Sequence, residues 1–246
     1  MVEVAAAGVN FIETTVRAGA FARTANQAPY APGNEVGGVL LEVGPGVDPA
    51  LVSRRVVTGT GGRGGYAERA VAAADGLVEI PDGLDTETAV ALFVHGRTAV
   101  GLVRETRPQK GERVLVEAAG GGVGSLLVQL AKRAGATVVA VAGGERKLEL
   151  ARGLGADVAV DYRDPGWAEA VRREVGEGGL EVVFDSVGGD VGREAFDLLA
   201  GGGRFAVFGF ASGAATEVTA GEILGKGVTV IGYGGARPWP YPEYPH

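Results

Sequence analysis

The stretch Glu112-Arg-Val-Leu-Val-Glu-Ala-Ala-Gly-Gly-Gly-Val-Gly-Ser-Leu-Leu-Val-Gln-Leu-Ala-Lys132 decides the fold of this chain. Its first part, Arg113–Val116, is a short apolar run typical of a buried strand, and Val123–Ala134 has the apolar spacing of a helix. The same alternation predicts further strands at Thr137–Val141, Asp157–Val160, Glu181–Asp185, Arg204–Phe208 and Val228–Ile231, and helices at Glu145–Leu154, Trp167–Val175, Val191–Leu199 and Ala220–Leu224. Apolar strands that alternate with helices predict an α/β domain with a doubly wound parallel sheet.

The glycines between the first strand and helix have the spacing of a dinucleotide-binding fingerprint. Ala119, Gly121 and Gly124 stand where the three glycines of G-x-G-x-x-G occur, with alanine at the first position. Such a loop must turn tightly, let its backbone approach a pyrophosphate and aim the N–H groups of the helix start at that anion. Its place between a strand and a helix favours this function over the alternative, a flexible glycine turn without a ligand.

The chain before this domain has a different pattern. Short apolar segments broken by glycine, proline and asparagine predict a β-rich unit over residues 1–93. Its predicted strands are Val2–Val4, Val36–Val43, Arg55–Thr58, Tyr66–Val71 and Leu77–Ile80, and Asn10 is predicted to cap a helix that ends near Ala18. Two separate helical stretches follow, one after a capping Asp85 and one at Thr98–Glu105. We therefore divide the chain into residues 1–93, a dinucleotide-binding domain at 94–232 and a proline-rich segment at 233–246.

The composition limits the other function classes. The 246 residues carry a formal charge of −7 and no basic stripe, which argues against a nucleic-acid partner because phosphate binding needs clustered cations. Without cysteine the chain cannot form a disulfide scaffold, a thiolate-held metal site or a cysteine nucleophile. No segment is typical of a signal peptide or a membrane span, so we expect a cytoplasmic protein without membrane partners.

The end of the second strand of the α/β domain bears on the choice of cofactor. An acidic residue there would bind the ribose 2′-hydroxyl of NAD, whereas a cation accommodates the 2′-phosphate of NADP. The chain has Gly143 at this tip, followed by Glu145, Arg146 and Lys147. The two cations favour NADPH over NADH, although Glu145 leaves NADH open and cations on a helix also occur simply as a solvated face.

Several motifs together resemble a known family. The second half contains Ala118-Ala-Gly-Gly-Gly-Val-Gly-Ser, Phe184-Asp-Ser-Val-Gly and Gly203-Arg-Phe-Ala-Val-Phe-Gly, and the first half contains Gly8-Val-Asn-Phe-Ile, Pro32-Gly-Asn-Glu-Val-Gly-Gly and Gly64-Gly-Tyr-Ala-Glu. In this order they resemble the zinc-independent quinone oxidoreductases of the medium-chain dehydrogenase/reductase superfamily. The resemblance implies a GroES-like, β-rich catalytic domain beside a Rossmann domain, with NADPH in a cleft between them.

The resemblance also implies roles for particular residues. Gly121, Gly122, Val123 and Gly124 would face the pyrophosphate, while Gly143, Arg146, Lys147 and Tyr162 would surround the 2′-phosphate. Phe208 and Gly209 would line the nicotinamide side with Thr98 nearby, and Asn10 matches a polar residue over the nicotinamide. The last predicted strand, Val228–Ile231, would pair across a two-fold axis in a homodimer.

The reaction follows from the same comparison. Zinc-dependent relatives have a histidine where this chain has Asn34, and His95 and His246 are its only histidines, so we expect no catalytic metal. The resemblance then implies hydride transfer from the nicotinamide to a small quinone or activated enone, with Asn10 as the candidate donor to the substrate carbonyl. For Asn10 the alternative is a plain helix cap. Glu13 and Thr15 depart from the aspartate and tyrosine usual in the family.

Two further alternatives stay open. Family members usually extend beyond both ends of this sequence, so a nucleotide-binding but inactive relative is one alternative. An enoyl-thioester reductase is the other, and activity on thioesters but not quinones would distinguish it.

Overall fold

The computed structural model describes residues 1–19, 29 and 31–234. Contacts divide this part of the chain into two compact units, with the boundary between Val94 and His95. Residues 235–246, which include most of the proline-rich segment, lie outside the described residues.

The first unit is built on an antiparallel five-stranded sheet. Its strands are β1 (Val2–Ala7), β2 (Glu35–Leu40), β3 (Arg55–Gly59), β4 (Arg69–Ala70) and β5 (Val78–Glu79). Their order is β4-β1-β2-β3-β5. All five predicted strands are present, although β4 and β5 have two residues each. Helix α1 (Phe11–Arg17) follows β1 and begins after Asn10, as predicted.

One long helix replaces the two predicted stretches that follow. Helix α2 runs without interruption from Thr86 to Thr106, so the predicted break is wrong. Gly96 disfavours a helix by only about 1 kcal/mol, and no proline is present to end it. Asp85 does cap the helix, since its carboxylate accepts hydrogen bonds from the Thr88 N–H (2.6 Å) and hydroxyl (2.9 Å).

The second unit is built on a six-stranded sheet in which every pairing is parallel. Its strands are β6 (Arg113–Glu117), β7 (Thr137–Ala142), β8 (Val158–Asp161), β9 (Leu180–Asp185), β10 (Leu199–Val207) and β11 (Thr229–Gly232). Their order is β11-β10-β9-β6-β7-β8, so the chain winds outward in both directions from the β6–β9 pair. The prediction of a doubly wound parallel sheet is confirmed.

Helices cover both faces of this sheet. They are α3 (Gly122–Arg133), α4 (Glu145–Gly153), α5 (Trp167–Val175), α6 (Gly189–Asp197) and α7 (Ala220–Lys226). Along β6, Val114 and Val116 belong to one apolar core, with α3, while Leu115 belongs to the other, with α5 and α6. Because successive side chains of a strand point to opposite faces, the continuous apolar run is explained by burial on both sides.

Candidate functional site

The glycine loop lies between β6 and α3, at the carboxyl end of the sheet. Ala118 has a φ of 46°, a left-handed conformation that is uncommon for a residue with a side chain. The turn closes with a 2.7 Å hydrogen bond from the Gly121 N–H to the Ala118 carbonyl. Gly121 is the N-cap of α3 and, like Gly122, is exposed. The first N–H groups of this helix have no partner within the helix, which makes them suited to an anion.

Steric contacts explain the glycines of the fingerprint. A Cβ added to Gly124 would lie 2.3 Å from the Ala118 carbonyl oxygen, and one added to Gly122 would lie 2.6 Å from the His95 ring. At Gly121 the nearest atom would be 3.1 Å away. The loop backbone therefore packs against the protein on one side, and no side chain covers it on the other, exposed side. Backbone N–H groups can bind a phosphate closely only where they are uncovered in this way.

The adjacent strand ends bring the predicted 2′-phosphate residues together. Gly143 follows β7, and a Cβ added to it would lie 3.4 Å from Cε2 of Tyr162, which follows β8. Lys147, in the first turns of α4, packs its Cβ near Gly120 of the glycine loop. Burial raises the pKa of the Tyr162 phenol, so this side chain acts as a neutral hydroxyl. Arg146 and Lys147 are both exposed on α4.

Arg163 joins this group and was missed by the sequence analysis. Its guanidinium binds the Asp161 carboxylate, with Nη2 2.6 Å from Oδ2, and lies beside Gly144. Asp161 also accepts the Gly144 N–H at 3.0 Å. The bonds from Arg163 hold the pKa of Asp161 far below its usual range. The segment Asp161-Tyr-Arg contains this cation and its acidic partner. Nothing in the sequence indicated that the Arg163 side chain would lie beside Gly143 and Gly144.

Glu145, the residue that left NADH open, is bound elsewhere. Its carboxylate forms an ion pair with Arg152 further along α4. Both side chains are substantially exposed, so the pair is weak. It nevertheless offers this carboxylate a partner within its own helix.

The other predicted cofactor residues lie in the same unit. Phe208 and Gly209 directly follow β10, and a Cβ on Gly209 would lie 3.1 Å from the Ser186 carbonyl oxygen. Thr98 lies on α2 and is partly buried. Strand ends β6, β7, β8 and β10 thus present the predicted residues at one edge of the sheet, where ligands bind in doubly wound folds.

A buried acidic pair at the same edge was also missed. Glu117 ends β6 and Asp185 ends the neighbouring β9, and both are completely buried. Desolvation, reinforced by the Asp185 charge, raises the pKa of Glu117 well above its usual value. These two carboxyl groups could not be predicted to meet, because they are 68 positions apart and each looks like an ordinary strand end.

Asn10 lies in the first unit, where its side chain does not cap α1. Its Nδ2 donates to buried Glu35 at 2.9 Å, and the other Glu35 oxygen accepts the Val94 N–H at 2.9 Å. Asn10 Oδ1 is buried and has no hydrogen-bond partner among the described residues. Thus Asn10 is the cap residue by position, but its amide is held by Glu35 instead.

Glu13 performs the capping and also contacts an aromatic residue. Its Oε2 accepts the Asn10 N–H at 2.7 Å and the Tyr66 hydroxyl at 2.5 Å. Burial and the neighbouring Glu13 carboxylate raise the pKa of Tyr66 well above its usual value. Sequence analysis did not foresee this pair, since the residues are 53 positions apart.

Among residues 1–19, 29 and 31–234, no cluster of three or more histidine or acidic side chains is arranged to hold a metal ion. Within that same part of the chain, none of the helices has the length and apolarity needed to cross a membrane.

Comparison with known proteins agrees with this architecture. Residues 1–82 match the alcohol dehydrogenase GroES-like domain, and residues 122–245 match the zinc-binding dehydrogenase domain. The chain is 37% identical to a 2-haloacrylate reductase from a Burkholderia species over 224 residues, which is 89% of this chain and 67% of that protein. It is 36% identical to the quinone oxidoreductase of Salmonella typhimurium over 227 residues, covering 92% of this chain and 69% of the relative.

A solved structure gives the same result. The Escherichia coli quinone oxidoreductase, crystallised as a complex with NADPH, superposes with a TM-score of 0.86 at 33% identity, covering 94% of this chain and 71% of that one. The chain thus spans roughly two thirds of the length of such relatives. With both domain matches, this sequence identity and this superposition in agreement, the chain belongs to the quinone oxidoreductase family of the medium-chain dehydrogenase/reductase superfamily.

Proposed function

We propose that this chain binds NADPH and reduces a quinone or an activated enone without a zinc ion. The observation that carries the proposal is the glycine loop, which lacks side chains where its backbone must approach a pyrophosphate and packs against Lys147, while Arg163 lies beside the neighbouring Gly143 and Gly144. The names of the relatives, two quinone oxidoreductases and a 2-haloacrylate reductase, support a reductase of small conjugated substrates.

The residues of the second unit fit the dinucleotide. Gly121, Gly122, Val123 and Gly124 would hold the pyrophosphate through backbone N–H groups at the start of α3. Phe208, Gly209 and Thr98 would line the nicotinamide side. When bound, the cofactor supplies the hydride, and the chain binds it, orients it and keeps water from the reacting face.

The choice of NADPH rests on the 2′-phosphate residues. Arg163 offers a cation beside Gly143 and Gly144, Lys147 offers one beside Gly120, and Arg146 precedes Lys147 on the exposed side of α4. Tyr162 offers a neutral hydroxyl beside Gly143. Glu145, which would serve the ribose of NADH, is paired with Arg152. These contacts favour a phosphate over a free hydroxyl.

Asn10 is the proposed residue for the substrate carbonyl. Its Nδ2 carries two hydrogens, and Glu35 accepts one of them. The second remains available to polarise a carbonyl oxygen, so that Glu35 orients the amide and Asn10 is the group that touches substrate. The zinc-free assignment rests on Asn34, which stands where zinc-dependent relatives have histidine, and on the absence of cysteine from the sequence.

A fluorescence titration with NADPH and, separately, NADH tests the cofactor assignment. We expect Lys147→Ala and Arg163→Ala each to weaken NADPH binding about tenfold or more while changing NADH binding little, because each removes a charge-assisted contact to the phosphate. Arg172→Ala, which removes an exposed cation paired with Glu169 on α5, is the matched control. Equal losses for both cofactors, or a similar loss in the control, would contradict the proposed phosphate site.

A substrate panel tests the reaction. NADPH oxidation should occur with quinones or activated enones, and Asn10→Ala should lower kcat more than it raises the Kd of NADPH. Binding of NADPH without turnover on any panel member would instead identify an inactive relative, and turnover only with enoyl thioesters would identify a thioester reductase.

A further inference from the structure

We propose that Glu117 and Asp185 share a single proton, and that this acid–carboxylate pair positions the turn Ser186–Gly189 and the loop at Phe208–Gly209. The part of this inference that concerns cofactor binding rests on the proposed function, whereas the shared proton is a property of the free protein. Both residues act on the proposed cofactor residues through the backbone that they hold, so both are positioning residues.

The pair lies at the point where the sheet changes direction. Strands β6 and β9 are neighbours, with Val116 paired to Phe184 one residue earlier, so the two carboxyl groups emerge side by side. In doubly wound folds this switch point opens the crevice that holds the ligand. Both side chains are fully buried.

The hydrogen bonds show which oxygen carries the proton. Glu117 Oε2 accepts the N–H groups of Ser186 (3.1 Å) and Val187 (2.9 Å). Glu117 Oε1 is buried and has no donor among the described residues, and its carboxyl group stands beside that of Asp185, because the two residues follow the paired Val116 and Phe184 on neighbouring strands. Two carboxyl groups can form a hydrogen bond only when one is protonated, so a proton on Oε1 gives the otherwise unpaired oxygen a partner.

Asp185 has the contacts of the ionised member. Its Oδ1 accepts the Gly188 N–H at 2.9 Å, and its Oδ2 accepts the Thr216 hydroxyl at 2.5 Å. With a donor from Glu117 it would have three hydrogen bonds, enough to stabilise a buried charge. Both oxygens of Asp185 accept a donor, whereas both bonds to Glu117 end on Oε2 and its Oε1 has none among the described residues, so Glu117 is the member on which the proton resides.

The pair is connected to the proposed nicotinamide side through the backbone. The Asp185 carbonyl accepts the Phe208 N–H at 2.9 Å, and the Ser186 carbonyl accepts the Ala211 N–H at 3.0 Å. Gly209 packs closely on that Ser186 carbonyl. A shift of the turn that Glu117 holds would therefore move the loop after β10.

Among the residues that the structure describes, no cation forms an ion pair or a hydrogen bond with either carboxyl group. From β8, Tyr162 faces Glu117 and is neutral. From α6 it is Gly192 that faces Asp185, and a Cβ there would lie within about 3 Å of both carboxylate oxygens. On α2 the titratable His95 lies against Gly122 of the glycine loop. Ionisation of Glu117 at high pH would place two like charges in contact, and the turn would be displaced.

The experiment compares Glu117→Gln with Glu117→Leu over a range of pH. Glutamine reproduces the protonated acid, because its Nε2 can donate to Asp185 while its oxygen accepts the two N–H groups. Leucine removes both functions. Glu112→Gln, at the opposite end of the same strand, is the control for an equivalent substitution outside the pair. The readouts are the infrared absorption of the free protein and the Kd of NADPH.

We expect a protonated-carboxyl band at neutral pH in the wild type and in Glu112→Gln but not in Glu117→Gln. NADPH affinity should fall as pH rises in the wild type and stay flat in Glu117→Gln, with the two equal at neutral pH. Glu117→Leu should bind about tenfold more weakly.

Two results would overturn the pair. The first is a wild-type infrared spectrum without the band, or one that Glu117→Gln leaves unchanged. The second is an affinity profile whose pH dependence survives in Glu117→Gln. If wild-type protein failed to bind NADPH at any pH, the proposed function would fail, while the infrared comparison would still decide whether the proton is shared.

Discussion

At Gly124 the missing side chain is a steric requirement of the glycine loop. A Cβ there would lie 2.3 Å from the Ala118 carbonyl oxygen, and backbone atoms cannot move aside as a flexible side chain can. We expect Gly124→Ala to lower the free energy of unfolding by about 1–3 kcal/mol, as overpacking does, and to abolish NADPH binding. Thermal denaturation and the fluorescence titration measure the two effects.

A second glycine provides the matched control. Gly153 ends α4 and has no atom within 4 Å of an added Cβ. Because alanine favours helix, Gly153→Ala should be neutral or stabilising by up to about 1 kcal/mol. If Gly124→Ala were as neutral or stabilising as Gly153→Ala, the close contact at Gly124 would not be the constraint that we infer.

Residue types and spacing predicted most of the residues of the proposed cofactor site. The fingerprint at Gly121 and Gly124, and the cation at Lys147, were predictable because they lie within a short, ordered βαβ segment. Arg163, Glu117 and Glu35 were not, since their contacts depend on which strand ends become neighbours. Residues 68 positions apart in the chain, such as Glu117 and Asp185, meet only through sheet order.

Among the elements of the first unit, Glu35 is the shared connection. Its carboxylate, on β2, accepts hydrogen bonds from Asn10 Nδ2 at the start of α1 and from the Val94 N–H of α2. Glu35→Leu would leave both donors unpaired and should lower the unfolding free energy by about 2–4 kcal/mol, while Glu35→Gln should cost about 1 kcal/mol. Chemical denaturation measures whether Glu35→Leu lowers the unfolding free energy more than Glu35→Gln does. Equal losses of unfolding free energy would mean that packing, not hydrogen bonding, determines the effect.

Element types were predicted better than element ends. The period of the apolar residues identified β6, α3 and the strands after them, but α2 was predicted as two separate stretches. Local propensity is a weak signal beside tertiary packing. Val94 is an example, since its N–H donates to Glu35 of β2 close to the position where we predicted the helix to break.

For the whole molecule, the glutamates at the two ends of β6, Glu112 just before it and Glu117 as its last residue, give opposite pH dependences. The bidentate bonds from Arg204 (2.7 and 2.8 Å) hold the pKa of Glu112 below its usual range, so this stabilisation is present at neutral pH and lost as pH falls. Burial raises the pKa of Glu117, so its stabilising proton is lost as pH rises. We expect maximal stability between these limits.

The free energy of unfolding, measured as a function of pH, tests the predicted loss of stability at low pH and at high pH. Glu112→Gln should flatten only the acid side of the profile, and Glu117→Gln only the alkaline side. A change on the wrong side for either variant would contradict the assignment.

The predicted homodimer would form by pairing of an edge strand with its copy in a second chain. Strand β11 (Thr229–Gly232) lies at the edge of the six-stranded sheet, where an unpaired strand is available to a second copy. We expect light scattering to give twice the chain mass over a range of protein concentrations. A single-chain mass throughout would exclude the pairing.

The turn at Ala118 has a kinetic consequence. Its left-handed backbone and the bond from Gly121 to its carbonyl involve atoms of the chain alone, so folding and not the ligand supplies the energy for the strained loop. A preorganised loop does not have to rearrange during an encounter. NADPH association followed by stopped flow should therefore show one phase whose rate rises linearly with NADPH concentration, without the plateau that a slow loop closure would impose.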